Sequence, residues 1–249
     1  MRANTSQRIE PNTIDSGTAR VTLTTRVLYR IGVLLNTFIA TIFYRIQVEG
    51  REHFPEHGGV LVIANHQSYY DPPIIGSMLN TRIFAFLARA GLFKIPGFGW
   101  LISALNAKPL SGDGNETRAM REMLRLLEDG WPILVFPEGA RTKDGGMVEF
   151  QRGILLLLKR ANCPIVPVAI EGFYDTWPKH KKLPRFFGCR MAMRVSAPMT
   201  YEQLLEQSGG DALAWLHDHI NQMRTELRSQ LLRTTKGRFP ATVQRSIVG

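Results

Sequence analysis

The chain has 249 residues, of which 44% are hydrophobic, and its 31 Lys and Arg against 21 Asp and Glu give a net charge of +10. This length and composition suit one α/β domain with terminal extensions. The positive charge favours an anionic partner, which by charge alone is nucleic acid, an anionic membrane or an acidic carrier. The two cysteines, Cys163 and Cys189, lack metal-ligand spacing. We expect reduced core thiols in a cytoplasmic protein.

The N-terminal region divides into a polar segment and an apolar one. Residues 1–20 have no apolar period and no signal-peptide h-region, so we expect a mobile arm on the cytoplasmic side. Residues 21–45 carry apolar residues at helical spacing, but the uncharged run within them is shorter than the roughly 20 residues that cross a bilayer. We predict an amphipathic helix that associates with the membrane, peripherally or monotopically, with packing on the domain core as the alternative.

The remaining sequence alternates short apolar segments with helical patterns, which is typical of an α/β domain with a largely parallel sheet flanked by helices. Strands are predicted at residues 60–64, 82–88, 132–136, 165–170 and 190–196. Helices are predicted at residues 72–79, 116–129 ending at Gly130, 153–161, and 211–232 behind an Asp211 N-cap. We expect residues 46–235 to form the domain and residues 236–249 to be a loose tail.

The first chemically informative segment, Asn65 to Pro73, begins where a predicted strand ends. Loops at strand ends are where α/β proteins place catalytic groups. His66 and Asp71 are close enough for the carboxylate to accept a hydrogen bond from one imidazole nitrogen, which would leave the other as a general base. Alternatively, Asp71 before Pro72 is the N-cap of a helix, and His66 satisfies a buried turn.

The second segment, Phe136 to Thr142, also follows a predicted strand. Gly139 permits a close approach of a ligand to the backbone, and the planar guanidinium of Arg141 matches phosphate oxygens. Glu138 could orient that arginine or an acceptor hydroxyl. The alternative is a strand-ending turn with a Glu–Arg surface pair.

Together these segments resemble the acyltransferase family of glycerolipid synthesis, whose bacterial members include PlsC-type 1-acylglycerol-3-phosphate acyltransferases. The resemblance spans about residues 47 to 172 in five ordered blocks. These are the NH-x4-D block at Asn65–Asp71, Arg89 with the LF-x-x-P-x-x-G segment at residues 92–99, the FPEG-x-R block at Phe136–Arg141, the F-x-x-G block at residues 150–153, and the V-P-V-x-I block at residues 166–170.

The resemblance implies specific roles for the motif residues. His66 is the expected general base and Asp71 its orienting partner, while Arg141 and Arg89 are the expected phosphate-binding residues. Glu138 and Gly139 would line the acceptor pocket. The expected reaction moves a fatty acyl group from acyl-CoA or acyl-carrier protein to the hydroxyl of a lysolipid, without another cofactor or a metal. The fold it implies is a helix-flanked sheet with an apolar tunnel for the acyl chain.

One block departs from the family pattern. The family often has an arginine near the acceptor phosphate in a G-x-I-x-I-x-R segment, whereas this chain has Gly112 at that position. Lys108 or Arg118 could supply the charge. The departure leaves open whether the acceptor is 1-acylglycerol-3-phosphate or another lysolipid, such as a lyso-ornithine lipid.

Other classes of protein fit the sequence less well. A Gly-x-Ser-x-Gly hydrolase motif and a His-Glu-x-x-His metal motif are absent. Basic and aromatic residues share the stretch 177–194, which suits nucleic acid or an interfacial loop on anionic lipid. We expect the membrane surface and no nucleic acid. A non-catalytic lipid-binding member of the same fold is the remaining alternative, against which the intact His66 and Asp71 argue.

Overall fold

The computed structural model describes residues 22–79, 81–104, 106–110 and 116–241. The predicted arm at residues 1–20 lies outside these ranges. The strands are β1 (Gln47–Glu49), β2 (Val60–Ala64), β3 (Phe86–Arg89), β4 (Ala107–Leu110), β5 (Pro132–Val135), β6 (Ile165–Glu171) and β7 (Ala192–Val195). The helices are α1 (Leu23–Ile42), α2 (Asp71–Met78), α3 (Ala90–Phe93), α4 (Phe98–Ala104), α5 (Glu116–Glu128), α6 (Gly153–Arg160), α7 (Tyr201–Ser208) and α8 (Ala212–Thr234), with a 3₁₀ turn at Arg51–His53.

The main sheet has the strand order β1-β7-β6-β2-β5. Each neighbouring pair is parallel except β6 and β7, which are antiparallel. A smaller sheet pairs β3 with β4 in parallel, and a single bridge from Ala85 to Ile133 connects it to β5. The prediction of a largely parallel sheet flanked by helices is therefore confirmed.

The core lies on both faces of β2 and β6, in which every residue is buried. Leu61 and Ile63 of β2 face a cluster that contains residues of α6 and α8, such as Leu157 and Leu216. Val60 and Val62 face the opposite cluster, which includes Ile74 of α2. Continuous apolar runs are typical of parallel strands covered on both faces. This double covering fixes the ends of β2 and β5, from which the candidate site is built.

Helix α1 packs on the domain along one narrow face. The Thr22 hydroxyl caps it by accepting a hydrogen bond from the Thr25 N–H at 3.2 Å. Tyr29 is buried, and its hydroxyl accepts a hydrogen bond from the Phe84 N–H at 3.2 Å. Ala40 is buried as well, whereas many of the other apolar side chains of α1 are exposed, including Leu34 at 70% and Phe38 at 56%. Among the described residues, α1 is the helix that has the length and apolar composition to cross a membrane.

Two predicted ends are confirmed in detail. The Asp211 carboxylate caps α8 by accepting a hydrogen bond from the Ala214 N–H at 3.1 Å. Gly130 follows α5 with a positive φ of 86°, and its N–H donates to the Leu127 carbonyl. The chain can therefore turn directly from α5 into β5.

The strand predicted at residues 82–88 begins later, at Phe86. The cause is Arg82, which is 5% exposed and donates hydrogen bonds to the Gly58 carbonyl at 2.6 Å and the Gly130 carbonyl at 2.5 Å. These bonds hold the start of the apolar run between two turns. Pairing with β4 therefore starts only after this anchor.

Residues 236–241, for which the sequence predicts a loose tail, make contacts with the domain. The Ala241 N–H donates to the Asp175 carboxylate at 2.7 Å. The Arg190 guanidinium lies 5.6 Å from the centre of the Phe239 ring. These contacts exist because the chain after α8 runs back across the loop that follows β6.

Candidate active site

The first loop of the site starts where β2 stops pairing with β6. Asn65 is buried, its side-chain NH₂ donates to the Ile170 carbonyl at 3.0 Å, and its side-chain oxygen accepts from the Ile170 N–H at 2.8 Å. The amide thus satisfies both backbone groups of Ile170 while the main chain leaves the sheet. The following residue, His66, is thereby held at the sheet edge.

His66 and Asp71 form the hydrogen bond expected from their spacing. His66 Nδ1 lies 2.7 Å from Asp71 Oδ2, and the Asp71 side chain is fully buried. The imidazole lies against Phe136, with ring centroids 3.9 Å apart and planes 15° from parallel. Because Nδ1 is engaged by the carboxylate, the tautomer that donates from Nδ1 leaves Nε2 unprotonated. Among the described residues, Nε2 has no hydrogen-bond partner.

Asp71 is held by the loop itself. Its Oδ2 also accepts hydrogen bonds from the backbone N–H groups of Gln67 at 2.5 Å and Ser68 at 2.7 Å. Burial raises the pKa of Asp71, and the hydrogen bonds from His66, Ser68 and Gln67 oppose that rise. Helix α2 starts at Asp71, and Tyr70 occupies the N-cap position. Asp71 therefore organises the preceding turn rather than capping α2.

The second loop, after β5, is joined to the first by Glu138. The Glu138 side chain is 5% exposed, and its two oxygens accept hydrogen bonds from the His66 N–H at 2.7 Å and the Val148 N–H at 3.1 Å. Burial raises its pKa to about 7, against the pull of these two donors. The Thr142 N–H in turn donates to the His66 carbonyl at 2.9 Å. Both backbone polar groups of His66 are therefore fixed by the second loop.

Gly139 is favoured in this second loop by its backbone conformation. Its φ is +70°, and a Cβ at this position would lie 2.0 Å from the side-chain nitrogen of Gln151. The Gln151 N–H also donates to the Pro137 carbonyl at 2.9 Å. The positive φ therefore favours glycine, because the exposed Gln151 side chain could move away from a Cβ.

Arg141 lies at the rim of the site. Its guanidinium carbon is 3.3 Å from the centre of the Tyr69 ring, and Tyr69 lies beside Trp177 with ring centroids 5.1 Å apart. One terminal nitrogen, Nη1, is buried and has no hydrogen-bond partner among the described residues. Stacking holds the guanidinium plane while leaving hydrogen-bond donors for an anion.

Two residues expected near the acceptor phosphate, Arg89 and Gly112, cannot be placed in the site. Arg89 ends β3, but its side chain lies outside the described part of the structure, as does the whole of Gly112. Among the residues that the structure does describe, no group of three or more His, Cys, Asp or Glu could hold a metal ion.

Sequence reasoning missed two residues that shape the site. Trp177 closes one side of the first loop, because its carbonyl accepts hydrogen bonds from the Ser68 hydroxyl at 3.1 Å and the Tyr69 N–H at 3.3 Å. Gln67 is 1% exposed and contacts two further loops. Gln67 directly follows His66 in the first loop, which was a signal for the second, whereas Trp177 gave none for a place in the site.

Comparisons with known proteins place this arrangement in a family. Residues 45–171 match the family model described as Acyltransferase. A chloroplastic 1-acyl-sn-glycerol-3-phosphate acyltransferase of Arabidopsis thaliana is 31% identical over 134 residues, covering 52% of this chain and 37% of that protein. The human alpha form of the enzyme is 31% identical over 162 residues, covering 64% and 56%.

A solved structure resembles most of the chain. It is the 1-acyl-sn-glycerophosphate (LPA) acyltransferase PlsC from Thermotoga maritima, with a TM-score of 0.67 and 28% identity over 82% of this chain and 80% of that one. By contrast, the chain spans about two fifths of the length of the first curated relatives it matches. The family model covers half of the chain and contains both loops of the site, and on that ground the chain belongs to the acyltransferase family.

Proposed function

We propose that this protein transfers a fatty acyl group from acyl-CoA or acyl-carrier protein to the hydroxyl of 1-acylglycerol-3-phosphate, giving phosphatidic acid. The observation that carries the proposal is the His66–Asp71 pair, in which Nδ1 is bonded to a buried carboxylate and Nε2 has no partner among the described residues. A base held in this way suits removal of a proton from an acceptor hydroxyl. The curated relatives are named as enzymes that acylate this acceptor.

The reaction follows from this arrangement of groups. His66 Nε2 accepts the hydroxyl proton as the acceptor oxygen attacks the thioester carbonyl carbon. The C–O bond forms, and the C–S bond breaks as the tetrahedral intermediate collapses. The thiolate then takes the proton from Nε2, so the products are an ester and a free thiol. Asp71 stabilises the transient imidazolium and keeps its orientation. No cofactor is needed beyond the thioester co-substrate.

Arg141 is the proposed ligand of the acceptor phosphate. Its Nη1 is buried without a partner among the described residues, which would be costly for a guanidinium unless an anion binds there. The N–H of the next residue, Thr142, donates to the His66 carbonyl, so the backbone beside this arginine contacts the backbone of the base. A bidentate phosphate contact at this rim would orient the acceptor hydroxyl. Arg89 is proposed as a second phosphate ligand on the family pattern alone.

The proposed location is the cytoplasmic face of the membrane. The exposed apolar side of α1 is joined to a second exposed segment, because Phe43 makes edge contacts with Phe186 and Phe187 at 6.1 and 5.5 Å. That segment also exposes Leu183, at 79%. An apolar surface of this kind suits the acyl boundary of a bilayer.

Basic residues flank this apolar segment. They are Lys179, Lys181, Lys182 and Arg185. Near an anionic lipid surface each such residue contributes about 1 kcal/mol of attraction, which salt weakens. The same segment begins at Trp177, beside the candidate site, so binding of the membrane here would bring the site to its lipid substrate.

An acceptor assay tests the proposal. The purified protein is given labelled acyl thioester with 1-acylglycerol-3-phosphate or with a lyso-ornithine lipid, and kcat/KM is compared for wild type and Arg141→Ala. We expect the phosphate acceptor to be preferred and Arg141→Ala to lower its kcat/KM by about 100-fold, with little change for the phosphate-free acceptor.

Other outcomes have separate meanings. Preference for the phosphate-free acceptor, unaffected by Arg141→Ala, would replace the acceptor and keep acyl transfer, as the glycine at position 112 allows. Absence of thioester turnover with both acceptors would instead favour a non-catalytic lipid-binding protein.

A further inference from the structure

The side chain of Gln67 is fully used in hydrogen bonds. Its Nε2 donates to the Gly145 carbonyl at 2.9 Å and to Glu171 Oε2 at 3.1 Å. Its Oε1 accepts from the N–H groups of Phe173 at 3.1 Å and Tyr174 at 3.3 Å. One buried amide therefore connects the loop of His66 with two other loops, and its orientation is fixed by four partners.

Glu171, at the end of β6, is the one charged partner among these four. Its side chain is 2% exposed. Oε2 accepts a hydrogen bond from Arg224 Nη1 at 3.1 Å, and Oε1 accepts one from Arg228 Nη1 at 2.8 Å. Burial raises the pKa of Glu171, and the two arginines act in the opposite direction. A carboxylate at this depth is stable in its ionised form only with such partners.

Arg224 is itself held in place. It is 4% exposed on α8, and its Nε and Nη2 donate to Asn221 Oδ1 at 3.1 and 2.8 Å. Asn221 lies one turn earlier on the same helix, so the guanidinium is oriented by α8 before it reaches Glu171. The contacts thus form an unbroken path from α8 to the loop that contains His66.

We propose that Arg224 and Arg228 are positioning residues: from α8 they hold the Glu171 carboxylate, which holds the Gln67 amide and so aligns His66 with Asp71. The inference rests on the proposed function, in which His66 is the general base. It assigns a catalytic purpose to α8, which lies beyond the residues that match the family model.

The physical reason is the position of Gln67 within the dyad's own turn. Its backbone N–H donates to Asp71 Oδ2, the oxygen that also binds His66. Without Arg224 the Glu171 carboxylate keeps Arg228 at Oε1 but loses the charged donor at Oε2, the oxygen that binds Gln67. A shift of this buried carboxylate toward Arg228 disturbs its bond with the Gln67 amide. A displacement of about 1 Å in a catalytic group is enough to cost up to about 100-fold in rate.

The experiment compares Arg224→Met with a matched control, Glu226→Gln. Glu226 lies on the same helix and pairs with Arg194, but it has no contact with Gln67 or Glu171. Two quantities are measured on the full-length protein in detergent. The first is kcat and KM per folded molecule, and the second is the proton resonance of His66 Nδ1–H, assigned with His66→Gln in histidine-labelled protein.

We expect Arg224→Met to lower kcat about tenfold, to change KM less than about twofold and to shift or broaden the Nδ1–H resonance. Glu226→Gln should leave both quantities unchanged. Arg224→Lys, which keeps the charge but not the planar fork, should give an intermediate kcat and resonance. It also serves as the test variant where Arg224→Met does not fold.

An unchanged kcat and an unshifted resonance in a destabilised Arg224→Met or Arg224→Lys would overturn the proposal, because α8 would then only stabilise the fold. Failure of the proposed function gives a different pattern. In that case wild type transfers no acyl group to any lysolipid, while the His66 resonance still decides whether Arg224 positions the dyad.

Discussion

The two loops of the candidate site contain buried polar side chains with hydrogen-bond partners, whereas helix α1 carries apolar side chains that are exposed. Asn65, Gln67 and Glu138 are each 5% exposed or less, and each makes two or more hydrogen bonds within the chain. Leu34 and Phe38 of α1 are more than half exposed. These three loop side chains are satisfied within the protein itself, whereas α1 has an apolar face that only an external partner would cover. The order of the site therefore comes from contacts within the chain, whereas the apolar face of α1 becomes buried only when a partner covers it.

The largest expected effect comes from removing the proposed base while the hydrogen bonds between the two loops stay intact. His66→Ala should lower kcat about 10²- to 10⁴-fold, because the imidazole is the proposed base. The fold should remain, because Glu138 and Thr142 bind the backbone of His66 and not its ring. Transfer of a labelled acyl group is measured together with the melting temperature. Near-normal turnover in a folded variant would disprove the role of His66 as the base.

The second prediction tests whether Glu138, which joins the two loops of the site, carries a buried charge. Glu138 has a folded pKa of about 7 against an ordinary value of 4.5, so the folded protein binds the extra proton between these values. Its contribution to stability is fully present below about pH 4.5 and is lost as the pH rises through 7.

Glu138→Gln, which does not titrate, should therefore cost more stability at pH 5 than at pH 8, by roughly 2–3 kcal/mol. The free energy of unfolding is measured for both proteins at both pH values. Equal costs would mean that the carboxylate stays ionised throughout, with its two backbone donors outweighing its burial.

The smallest expected effect tests the two faces of α1. Leu34→Gln should weaken binding to anionic vesicles about tenfold, because burying one leucine side chain contributes about 1.5–3 kcal/mol. Tyr29→Phe, on the buried face, is the matched control and should alter the melting temperature without altering vesicle binding. Both proteins are compared by co-sedimentation. Vesicle binding that is unchanged in both variants would contradict the proposed role of α1 in membrane association.

The strands that were predicted well are those with mostly apolar side chains, which are stabilised by burial alone. Val60–Ala64 and residues 165–170 are apolar runs, and both runs identify buried parallel strands. Gln47–Glu49 was missed because it is three residues long and half-buried. Ala107–Leu110 was missed because it is short and contains a proline.

The site was predictable only where its contacts are local. His66 and Asp71 are five residues apart, so spacing alone indicated their hydrogen bond. Glu138 binds the backbone of a residue 72 positions away, and the bond between Arg224 and Glu171 spans 53 positions. Contacts at such separations depend on how the strands are ordered in the sheet, which single-residue patterns do not specify.

The amide of Asn65 has a consequence for which residues that position can accept. It replaces a peptide group, donating to and accepting from Ile170 at the point where the main chain departs from the sheet. Only Asn and Gln offer both groups on one amide, and Gln is longer by a methylene at a position that is buried. Aspartate lacks the donor, and leucine lacks both groups. The position therefore favours asparagine for a structural reason, although Asn65 itself is assigned no part in the chemistry.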